Sequence, residues 1–476
     1  MTGTAAGTGK DHTDHSDSTD HSEHVDILVI GWGKGGKTLA GTAAKRGLRV
    51  AMIEQSRDMI GGTCINVACV PTKILLHDAE ARRTDDDPDG SFAAAVERRD
   101  SLTAAMREKN HSMLADLDSV LLVTGHAEFT GEREVRVTGG DETLRVSADT
   151  VLINTGSYPA VPPIDGARVG GRIHDSETLQ HVSPRSRSLV IVGGGYVGLE
   201  FASMFAHFGT DVTVLDRGER PLRHEDADVA DTAADALRAD GVRITPGASV
   251  TAVQDGPDLA RVTYDVDGES RTIDAEAVLL ALGRTPASAG LGLGRAGVAT
   301  DDDGYVVVDD RLRTSAEGVY ALGDVNGGPQ FTYVSLDDNR IVADQLFGAG
   351  DRSTADRTAV PYAMFLSPPL ARVGLTEAEA REQGREVLVG SKQMADIGAA
   401  PRAKIEGEPR GIVKCVVDAG TDEVLGAALM HVHSQEVINL VALAIRHGIT
   451  ATQLRDSIYT HPSATEALNE VLGGLR

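Results

Sequence analysis

Val25-Asp26-Ile27-Leu28-Val29-Ile30-Gly31-Trp32-Gly33-Lys34-Gly35-Gly36 is the stretch that decides the fold. The apolar run reads as a short buried strand, and it empties into a glycine turn that opens a helical stretch. Gly31, Gly33 and Gly36 let the backbone approach a pyrophosphate at a helix start, where free N–H groups and the helix dipole favour an anion. The next strand, Arg49-Val50-Ala51-Met52-Ile53-Glu54, ends on an acid that can accept from a ribose hydroxyl. A glycine loop alone is weak evidence. Strand, loop, helix, strand and acid in register make a dinucleotide fingerprint.

The pattern recurs downstream. Leu189-Val190-Ile191-Val192 runs into Gly193-Gly194-Gly195-Tyr196-Val197-Gly198, and Val212-Thr213-Val214-Leu215 ends at Asp216. First glycine and acid stand at 31 and 54 in one copy and at 193 and 216 in the other, the same separation. Gly193, Gly195, Gly198 and Asp216 thus repeat the roles of the first set, and two such units imply two bound dinucleotides.

Between them lies Gly61-Gly62-Thr63-Cys64-Ile65-Asn66-Val67-Ala68-Cys69-Val70-Pro71-Thr72-Lys73, which holds two of the three cysteines of the chain. The residues that follow, Ile74 to Ala79, read as helix, so the pair lies at or near a helix N-terminus, where a thiolate is favoured. In an ideal helix, residues five apart have Cα atoms roughly 8.6 Å apart. A disulfide needs less than about 7 Å. The first turn must distort to close a bridge, and Gly61-Gly62 can supply unusual backbone angles. A distorted, exposed disulfide is the labile, redox-active kind. The first fingerprint lies directly before this pair and is expected to hold a flavin, which must touch a redox disulfide to exchange electrons with it. The second is expected to hold the nicotinamide donor.

The chain has 476 residues, too many for one core, so two to four domains are expected. Lys and Arg number 46 against 71 Asp and Glu, a net charge of −25. Nucleic acid and anionic membrane surfaces are poor partners for that surface. Three cysteines do not make a secreted disulfide framework. No apolar run reaches spanning length, and the N-terminus lacks a signal-peptide core. The expected compartment is the cytoplasm.

Residues 1–24 mix Asp11, His12, Asp14, His15, Asp17, Asp20, His21, Glu23 and His24 with Ser, Thr and Gly, and read as a disordered tail. Imidazole and carboxylate at that density can hold Cu²⁺, Zn²⁺ or Ni²⁺ weakly, but no closed four-ligand spacing is present, which favours a solvated tail. A long helical region spans about 92–116. Thr155-Gly156 after Val151-Leu152-Ile153 reads as a crossing between domains, and Gly283-Arg284 after Val278–Leu282 as the crossing back. The loop ending in Gly323-Asp324 suits contact with a sugar-like chain. From about 356 the pattern changes to strands, a helix over 434–447 and two short helices. Cys415, alternating with Val413 and Val417, is expected in the core. Near the end, His461-Pro462-Ser463-Ala464-Thr465-Glu466 admits two accounts of Glu466. Ser463 and Glu466 fit a capping box, and Glu466 can instead orient His461 as acid/base for a thiol. Spacing alone favours the cap.

Taken together, these motifs resemble the class I pyridine nucleotide–disulfide oxidoreductases from Val25 onward, the family of glutathione reductase, dihydrolipoamide dehydrogenase and mercuric reductase. The Gly-Gly-Thr-Cys…Cys…Pro…Lys signature is highly specific. The resemblance implies an α/β fold with two Rossmann-like dinucleotide-binding domains, for FAD and NAD(P), and a C-terminal α+β dimerisation domain. The implied boundaries are 25–160 with 284–355 for FAD, 161–283 for NAD(P) and 356–476 for the interface. It implies Cys69 as the thiol beside the flavin, Cys64 as the interchange thiol, and a Lys73–Glu200 pair near the flavin ring. It implies Asp324 on the ribityl chain, with Gly62, Thr63, Thr155, Gly156 and Gly323 also on the FAD side and Gly283 and Arg284 on the NAD(P) side. It implies a homodimer in which the His461-Pro462 segment completes the partner's site, which moves Glu466 towards the orienting role. Ala68 departs from the glycine usual before the second cysteine. Gly33–Ala40, Gln330–Asp338 and Pro368–Gly374 are most similar to a copper(II)-reducing branch of the family associated with reactive-chlorine resistance.

The expected cycle passes a hydride from NADH (or NADPH) to FAD, electrons on to the Cys64–Cys69 disulfide, and then to a small-molecule or metal-ion acceptor. Soft thiolates favour Cu(I), so the pair is also a candidate transient site for a substrate copper ion. Mercuric reductase fits less well, because the chain ends Gly473-Gly474-Leu475-Arg476 without a terminal cysteine pair and has no N-terminal Cys-x-x-Cys. Dihydrolipoamide dehydrogenase remains open, since His461 and Glu466 would serve it too. A metal buffer working through its His/Asp tail is a rival from another class, and the intact cysteine pair and both fingerprints speak against it.

Overall fold

The turn at Gly31 shows how the first sheet is built. The structure is a computed structural model describing residues 21–139, 143–398 and 401–476. β1 (His21–Ile30) ends at Gly31, whose φ of +92° turns the chain into α1 (Lys34–Ala44). A Cβ on Gly31 would sit 2.5 Å from the Asn154 carbonyl oxygen, so only glycine fits. β2 (Val50–Glu54) is buried at every position, as a central parallel strand should be. Then follow α2 (Thr63–Asn66), α3 (Cys69–Ala81) and α4 (Pro88–Ala115). Asp87 caps α4 by accepting from Asp89 and Gly90 N–H groups, with Pro88 in the first turn. β3 (Val120–Thr124), β4 (His126–Gly131), β5 (Glu134–Thr138) and β6 (Leu144–Ile153) complete the order β3-β2-β1-β6-β5-β4. The β3, β2, β1 and β6 contacts are parallel, and β4 to β6 form an antiparallel meander.

β1 begins earlier than the tail reading allows. His21 to His24 pair with Leu144 to Ser147 of β6, and His24 Nδ1 lies 3.0 Å from Ser147 Oγ. Backbone pairing along an existing edge orders residues that have no apolar side chains to bury. The other His and Asp residues of the tail fall in 1–20, outside the described residues.

The chain then leaves through β7 (Ser157–Pro159) and β8 (Ile173–His174) and builds a second sheet. β9 (Ser188–Val192), α5 (Tyr196–His207), β10 (Asp211–Leu215), α6 (Ala227–Ala239) and β11 (Arg243–Thr245) repeat the first pattern. A three-stranded antiparallel sheet of β12 (Ser249–Gln254), β13 (Ala260–Val266) and β14 (Glu269–Ala275) precedes β15 (Ala277–Leu280). The parallel sheet runs β11-β10-β9-β15-β8. β16 (Arg284–Pro286) pairs back with β7, and β17 (Val319–Ala321) joins the first sheet beside β6. α7 (Thr332–Phe347) then packs beside α1.

The last part is an antiparallel sheet with helices. β18 (Tyr362–Met364), β19 (Leu370–Gly374), α8 (Glu377–Glu382), β20 (Val387–Gln393), α9 (Arg402–Ile405), β21 (Ile412–Asp418) and β22 (Val424–Met430) give the order β18-β19-β22-β21-β20. α10 (Ser434–Arg446), α11 (Ala451–Arg455) and α12 (Ala467–Leu472) cover it. Cys415 lies in this core, 1% exposed, and burial pushes its thiol up to about 12. Among the described residues no helix is long and apolar enough to cross a membrane.

Candidate active site

The two cysteines sit on two separate helical turns. Cys64 belongs to the single turn of α2, and Cys69 is the first residue of α3. The distortion expected within one helix is a full break at Val67-Ala68, where Ala68 has φ −126° and ψ −99°. Gly61 and Gly62 adopt φ of +97° and +83°, the left-handed region that glycine tolerates. Side chains from elsewhere hold the break. Asn66 Nδ2 donates to the Ile60 and Gly62 carbonyls, Arg107 donates to Asn66 Oδ1, and Gln180 Nε2 donates to the Val67 carbonyl. Both are free cysteines in this structure.

The pair shares one proton. A hydrogen bond from Cys64 lowers the Cys69 thiol to about 6, against the cost of burial, and the Lys73 charge and Thr332 add to the lowering. The same bond, followed by burial, pushes the Cys64 thiol far up. Thr332 Oγ1 lies 3.8 Å from Cys69 Sγ and opens α7. Two helix N-termini, those of α3 and α7, therefore converge on Cys69, and both favour negative charge there. The arrangement can hold a thiolate on Cys69 while Cys64 keeps its proton.

Beneath the pair, Lys73 Nζ donates to Glu200 Oε2 over 2.6 Å, joining α3 to α5. Glu200 Oε1 accepts from the Phe365 N–H at 2.9 Å, and Lys73 lies 5.1 Å from the centre of the Phe365 ring. Phe331 stacks on Tyr362 at 6.0 Å, and the Tyr362 hydroxyl meets that of Tyr196, the residue after Gly195, at 2.9 Å. An aromatic group thus spans from the start of α7 to the second glycine loop.

The first glycine loop is braced from inside. Trp32 N–H donates to Glu54 Oε2, Gly35 N–H to Ser335 Oγ, and Gly36 N–H to Asn154 Oδ1. Burial raises the Glu54 carboxyl above its ordinary value. A Cβ on Gly33 would lie 2.4 Å from Asn154 Oδ1, and one on Gly36 2.7 Å from Val29, so packing as well as ligand approach demands glycine. The Gly61-Gly62 turn lies on this loop: a Cβ on Gly62 would lie 2.9 Å from the Trp32 carbonyl oxygen. The residues fit a dinucleotide. Gly33 caps α1 without a side-chain bond, and with the Gly35 and Gly36 N–H groups engaged by Ser335 and Asn154 the Gly33 and Lys34 N–H groups are left for a pyrophosphate, while among the described residues the buried Thr155 Oγ1 beside the loop has no partner. A Cβ on Gly156 would lie 3.6 Å from Thr63 Oγ1. Gly323 donates its N–H to the buried Asp338, which Arg357 holds from the other side. Asp324 Oδ2 accepts from Ser157 Oγ at 2.7 Å.

Arg284 belongs with this group rather than with the second loop. Its Nε and Nη2 donate to Ser157 Oγ and the Ser157 carbonyl at 2.7 Å each, because β16 pairs with β7 and so carries Arg284, next to Gly283, back towards Asp324. In the second loop, Gly193 has φ +113°, and a Cβ on Gly198 would lie 2.1 Å from the Gly193 carbonyl oxygen. Gly195 faces open space. Asp216 already accepts from the Gly194 and Gly218 N–H groups at 2.5 and 2.6 Å.

His461 stands on the outside of the chain with its side chain 69% exposed and Nδ1 2.9 Å from Glu466 Oε1. Glu466 Oε2 also accepts from the Ser463 N–H, but Ser463 Oγ has no partner among the described residues, so only half of the capping box forms. Glu466 thus holds both the His461 ring and the Ser463 backbone, while α12 begins only at Ala467 with Glu466 as its N-cap residue. Among the described residues no three His, Cys, Asp or Glu side chains stand together as a metal site.

Sequence reasoning missed Asn154, Arg107, Gln180 and Lys37. Lys37 Nζ donates to the Gly61 carbonyl at 3.0 Å and to Asn110 Oδ1 at 2.6 Å. Burial and then Lys34 lower it to about 8, and the Cys64 charge opposes that shift. A lysine one turn into a helix otherwise polar at that point carried no local mark of this.

Comparison with known proteins agrees with this geometry. Residues 25–338 match the family described as pyridine nucleotide-disulphide oxidoreductase, and residues 360–472 match its dimerisation domain. The chain is 44% identical over 444 residues to the probable pyridine nucleotide-disulfide oxidoreductase RclA of Escherichia coli, covering 93% of this chain and 98% of that protein. It is 32% identical to a mercuric reductase of Lysinibacillus sphaericus (93% and 81% covered) and 33% identical to a dihydrolipoyl dehydrogenase of Mycobacterium tuberculosis (94% and 98% covered). A solved structure described as the Cu(II) complex of HOCl-induced flavoprotein disulfide reductase RclA from Escherichia coli superposes with a TM-score of 0.89 at 43% identity, covering 95% of this chain and 99% of that one.

Proposed function

Since this chain belongs to the pyridine nucleotide–disulphide oxidoreductase family, we propose that it carries electrons from NAD(P)H to the Cys64–Cys69 pair and on to a metal ion, Cu(II). It is an enzyme of the flavoprotein disulfide reductase type, with FAD and NAD(P)H as its cofactors. The observation that carries the reading is the Cys69 thiolate at two converging helix N-termini with Cys64 as its hydrogen-bond donor, the arrangement of a reactive dithiol. Copper enters through the likeness to RclA, whose structure holds Cu(II). Defence against oxidative or reactive-chlorine stress is proposed on the same likeness.

The flavin supplies the conversion between hydride transfer and electron transfer. The chain's residues do the rest. The first glycine loop, Glu54, Gly62, Thr63, Thr155, Gly156 and the Gly323-Asp324 loop hold FAD, with Arg284 acting through Ser157. Gly193, Gly195, Gly198 and Asp216 hold the nicotinamide nucleotide, and Glu200 fixes Lys73 beside the thiols. Cys69 receives the electron pair, the disulfide opens, and Cys64 becomes the exchanging thiol. Two Cu(II) ions then take one electron each, and the thiolate–thiol pair returns to the disulfide with loss of the one proton it held. Thiolate ligands favour the Cu(I) product. His461, oriented by Glu466, serves the partner's site in a homodimer. The proposed division is residues 25–160 with 284–355 for FAD, 161–283 for the nicotinamide nucleotide, and 356–476 for the subunit interface.

The test is steady-state oxidation of NADH by the purified holoenzyme with Cu(II), Hg(II) and lipoamide side by side, under anaerobic conditions. Turnover with Cu(II) above the other two supports the proposal. Turnover dominated by lipoamide or Hg(II) replaces it with the dihydrolipoyl dehydrogenase or mercuric reductase reading.

A further inference from the structure

Pro71 leaves the turn between the cysteines with a carbonyl that has to find its partner elsewhere. A carbonyl entering an α-helix accepts from the N–H four residues on. For Val67 that residue is Pro71, which has no N–H, so α3 cannot satisfy the Val67 carbonyl in that register. The neighbouring Ala68 carbonyl has its helical partner, the Thr72 N–H at 3.1 Å. Val67 is served by Gln180 instead, whose Nε2 donates to its carbonyl at 2.9 Å and to the Ser176 carbonyl at 2.7 Å. A carboxamide has two N–H donors, and these two carbonyls engage both. Oε1 stays buried with no partner among the described residues. Gln180 is 2% exposed, and its mounting is rigid. Its own carbonyl accepts from Nη1 of Arg99, a guanidinium buried in α4. Asp175 Oδ1 ties the turn before it through the Glu177 and Thr178 N–H groups at 2.9 and 2.7 Å. Arg99 stands about 12 Å along α4 from Arg107, which holds Asn66. α4 therefore reaches the segment between the cysteines twice, once through Asn66 and once through Gln180.

We propose that Gln180 is a positioning residue for the redox pair: held by Arg99, its amide fixes the Val67 carbonyl between Cys64 and Cys69 and so keeps the turn in the shape from which the disulfide closes. This rests on the reading of Cys64 and Cys69 as that pair. Closing a disulfide brings two sulfurs to one narrow geometry. A turn already held in one conformation loses little freedom on closing, whereas a loose turn must first be ordered. Gln180 therefore acts on the balance between dithiol and disulfide through the backbone. It belongs to the segment proposed for the nicotinamide nucleotide, residues 161–283. That segment thus holds the cysteine turn at Val67, as it holds α3 at Lys73 through Glu200.

The experiment equilibrates the full-length, FAD-loaded protein with reduced and oxidised glutathione without oxygen. Acid quench, thiol alkylation and mass then read the fraction of Cys64–Cys69 disulfide. In that equilibrium the pair gives two electrons to one oxidised glutathione and its S–S bond forms. The glutathione S–S bond breaks to two thiols, which take the protons the pair releases and the balance from solvent. Gln180→Met keeps the length of the side chain and loses the donors, and its closure constant is expected to fall about fivefold, the size of one neutral hydrogen bond. Gln345→Met also loses an amide that donates to two carbonyls, those of Gly350 and Arg352 beyond the far end of α7. Its constant is expected within about twofold of the unaltered protein. A fall of less than about threefold in Gln180→Met overturns the proposal, as does an equal fall in Gln345→Met. If Gln180→Met does not fold with FAD, Arg99→Lys decides, because lysine keeps the charge and loses the fork of donors that reaches Gln180. There a fall of at least about twofold supports the proposal and a smaller one overturns it. An unaltered protein that forms no Cys64–Cys69 disulfide at any glutathione ratio overturns the reading of the pair and this proposal with it. A disulfide that forms, with its constant unmoved in Gln180→Met, overturns this proposal alone.

Discussion

Lys73 Nζ and Glu200 Oε2, 127 residues apart in the chain, are joined at 2.6 Å, and the bond ties the cysteine helix to the helix of the second glycine loop. Glu200 is buried and Lys73 partly so. Lys73→Met leaves a buried carboxylate holding only the Phe365 N–H, and breaking a buried pair in this way costs about 3 kcal/mol. Glu200→Gln keeps one acceptor oxygen for one of the two donors and removes the buried charge, leaving Lys73, which is partly exposed, to solvent, so it is expected to cost less than Lys73→Met. Thermal melts of the FAD-loaded variants measure the order. A Glu200→Gln protein that melts below Lys73→Met would show that the pair does not act as described.

The second prediction concerns the pH at which Cys69 ionises. With its thiol lowered to about 6, the thiolate predominates above that pH and is lost as pH falls through it. In the reduced holoenzyme the long-wavelength thiolate–flavin absorbance should rise with pH around a midpoint near 6. Cys64→Ser keeps a hydroxyl donor and shows the band without reduction. Cys64→Ala loses the donor, which is the largest cause of the lowering, so its midpoint moves up. Cys69→Ser has no band. A band in Cys69→Ser and none in Cys64→Ser would reverse the two roles.

The nicotinamide donor is expected to be NADH. Asp216 directly follows β10 with its carboxylate fixed by Gly194 and Gly218 N–H groups, where it repels a ribose 2′-phosphate. Of the nearby arginines, Arg220 is paired with Asp231, while Arg217 and Arg223 are exposed. A fixed acid outweighs solvated loop arginines, so kcat/KM for NADH should exceed that for NADPH. Asp216→Ala should narrow the difference. Steady-state rates with both donors check it, and a preference for NADPH removes Asp216 from the specificity role.

His461→Ala separates metal reduction from thiol reduction. Forming a dithiol product needs protons delivered to sulfur, and general acid assistance is typically worth ~10²–10⁴-fold. Reducing Cu(II) needs only electrons at the metal. NADH-dependent Cu(II) turnover should therefore fall by less than about tenfold in His461→Ala. Cys64→Ser and Cys69→Ser should each cost more. Cu(I) formation is followed with a chromogenic chelator without oxygen, and dimer mass is checked in parallel because His461 is exposed at the surface of the single chain. A thousandfold loss in an intact dimer, with lipoamide active in the unaltered protein, points to dihydrolipoyl dehydrogenase chemistry.

What the sequence determined by itself was local. A buried strand, a glycine turn, a helix and a closing acid are set by residues within some two dozen positions, so Gly31 with Glu54 and Gly193 with Asp216 were legible, as was the helix start at the cysteines. Those features follow from backbone sterics and from apolar runs, which need no knowledge of distant neighbours. Three-dimensional folding decided the rest. Thr332 reaches Cys69 across 263 residues, and Asn154 stands against Gly33 and Gly36 from more than a hundred residues away. The break at Val67-Ala68 is held by Arg107 and Gln180, from α4 and from the link to the second sheet, so helix propensity alone could not place it. Arg284 went to Ser157 because a strand pairing carried it there, and strand pairing between distant segments leaves no mark in either segment. The Lys73–Glu200 pair was expected only through the family resemblance, and Lys37 beside Gly61 was not expected at all. Both depend on which helix faces are pressed together, and that is settled by the packing of the whole core.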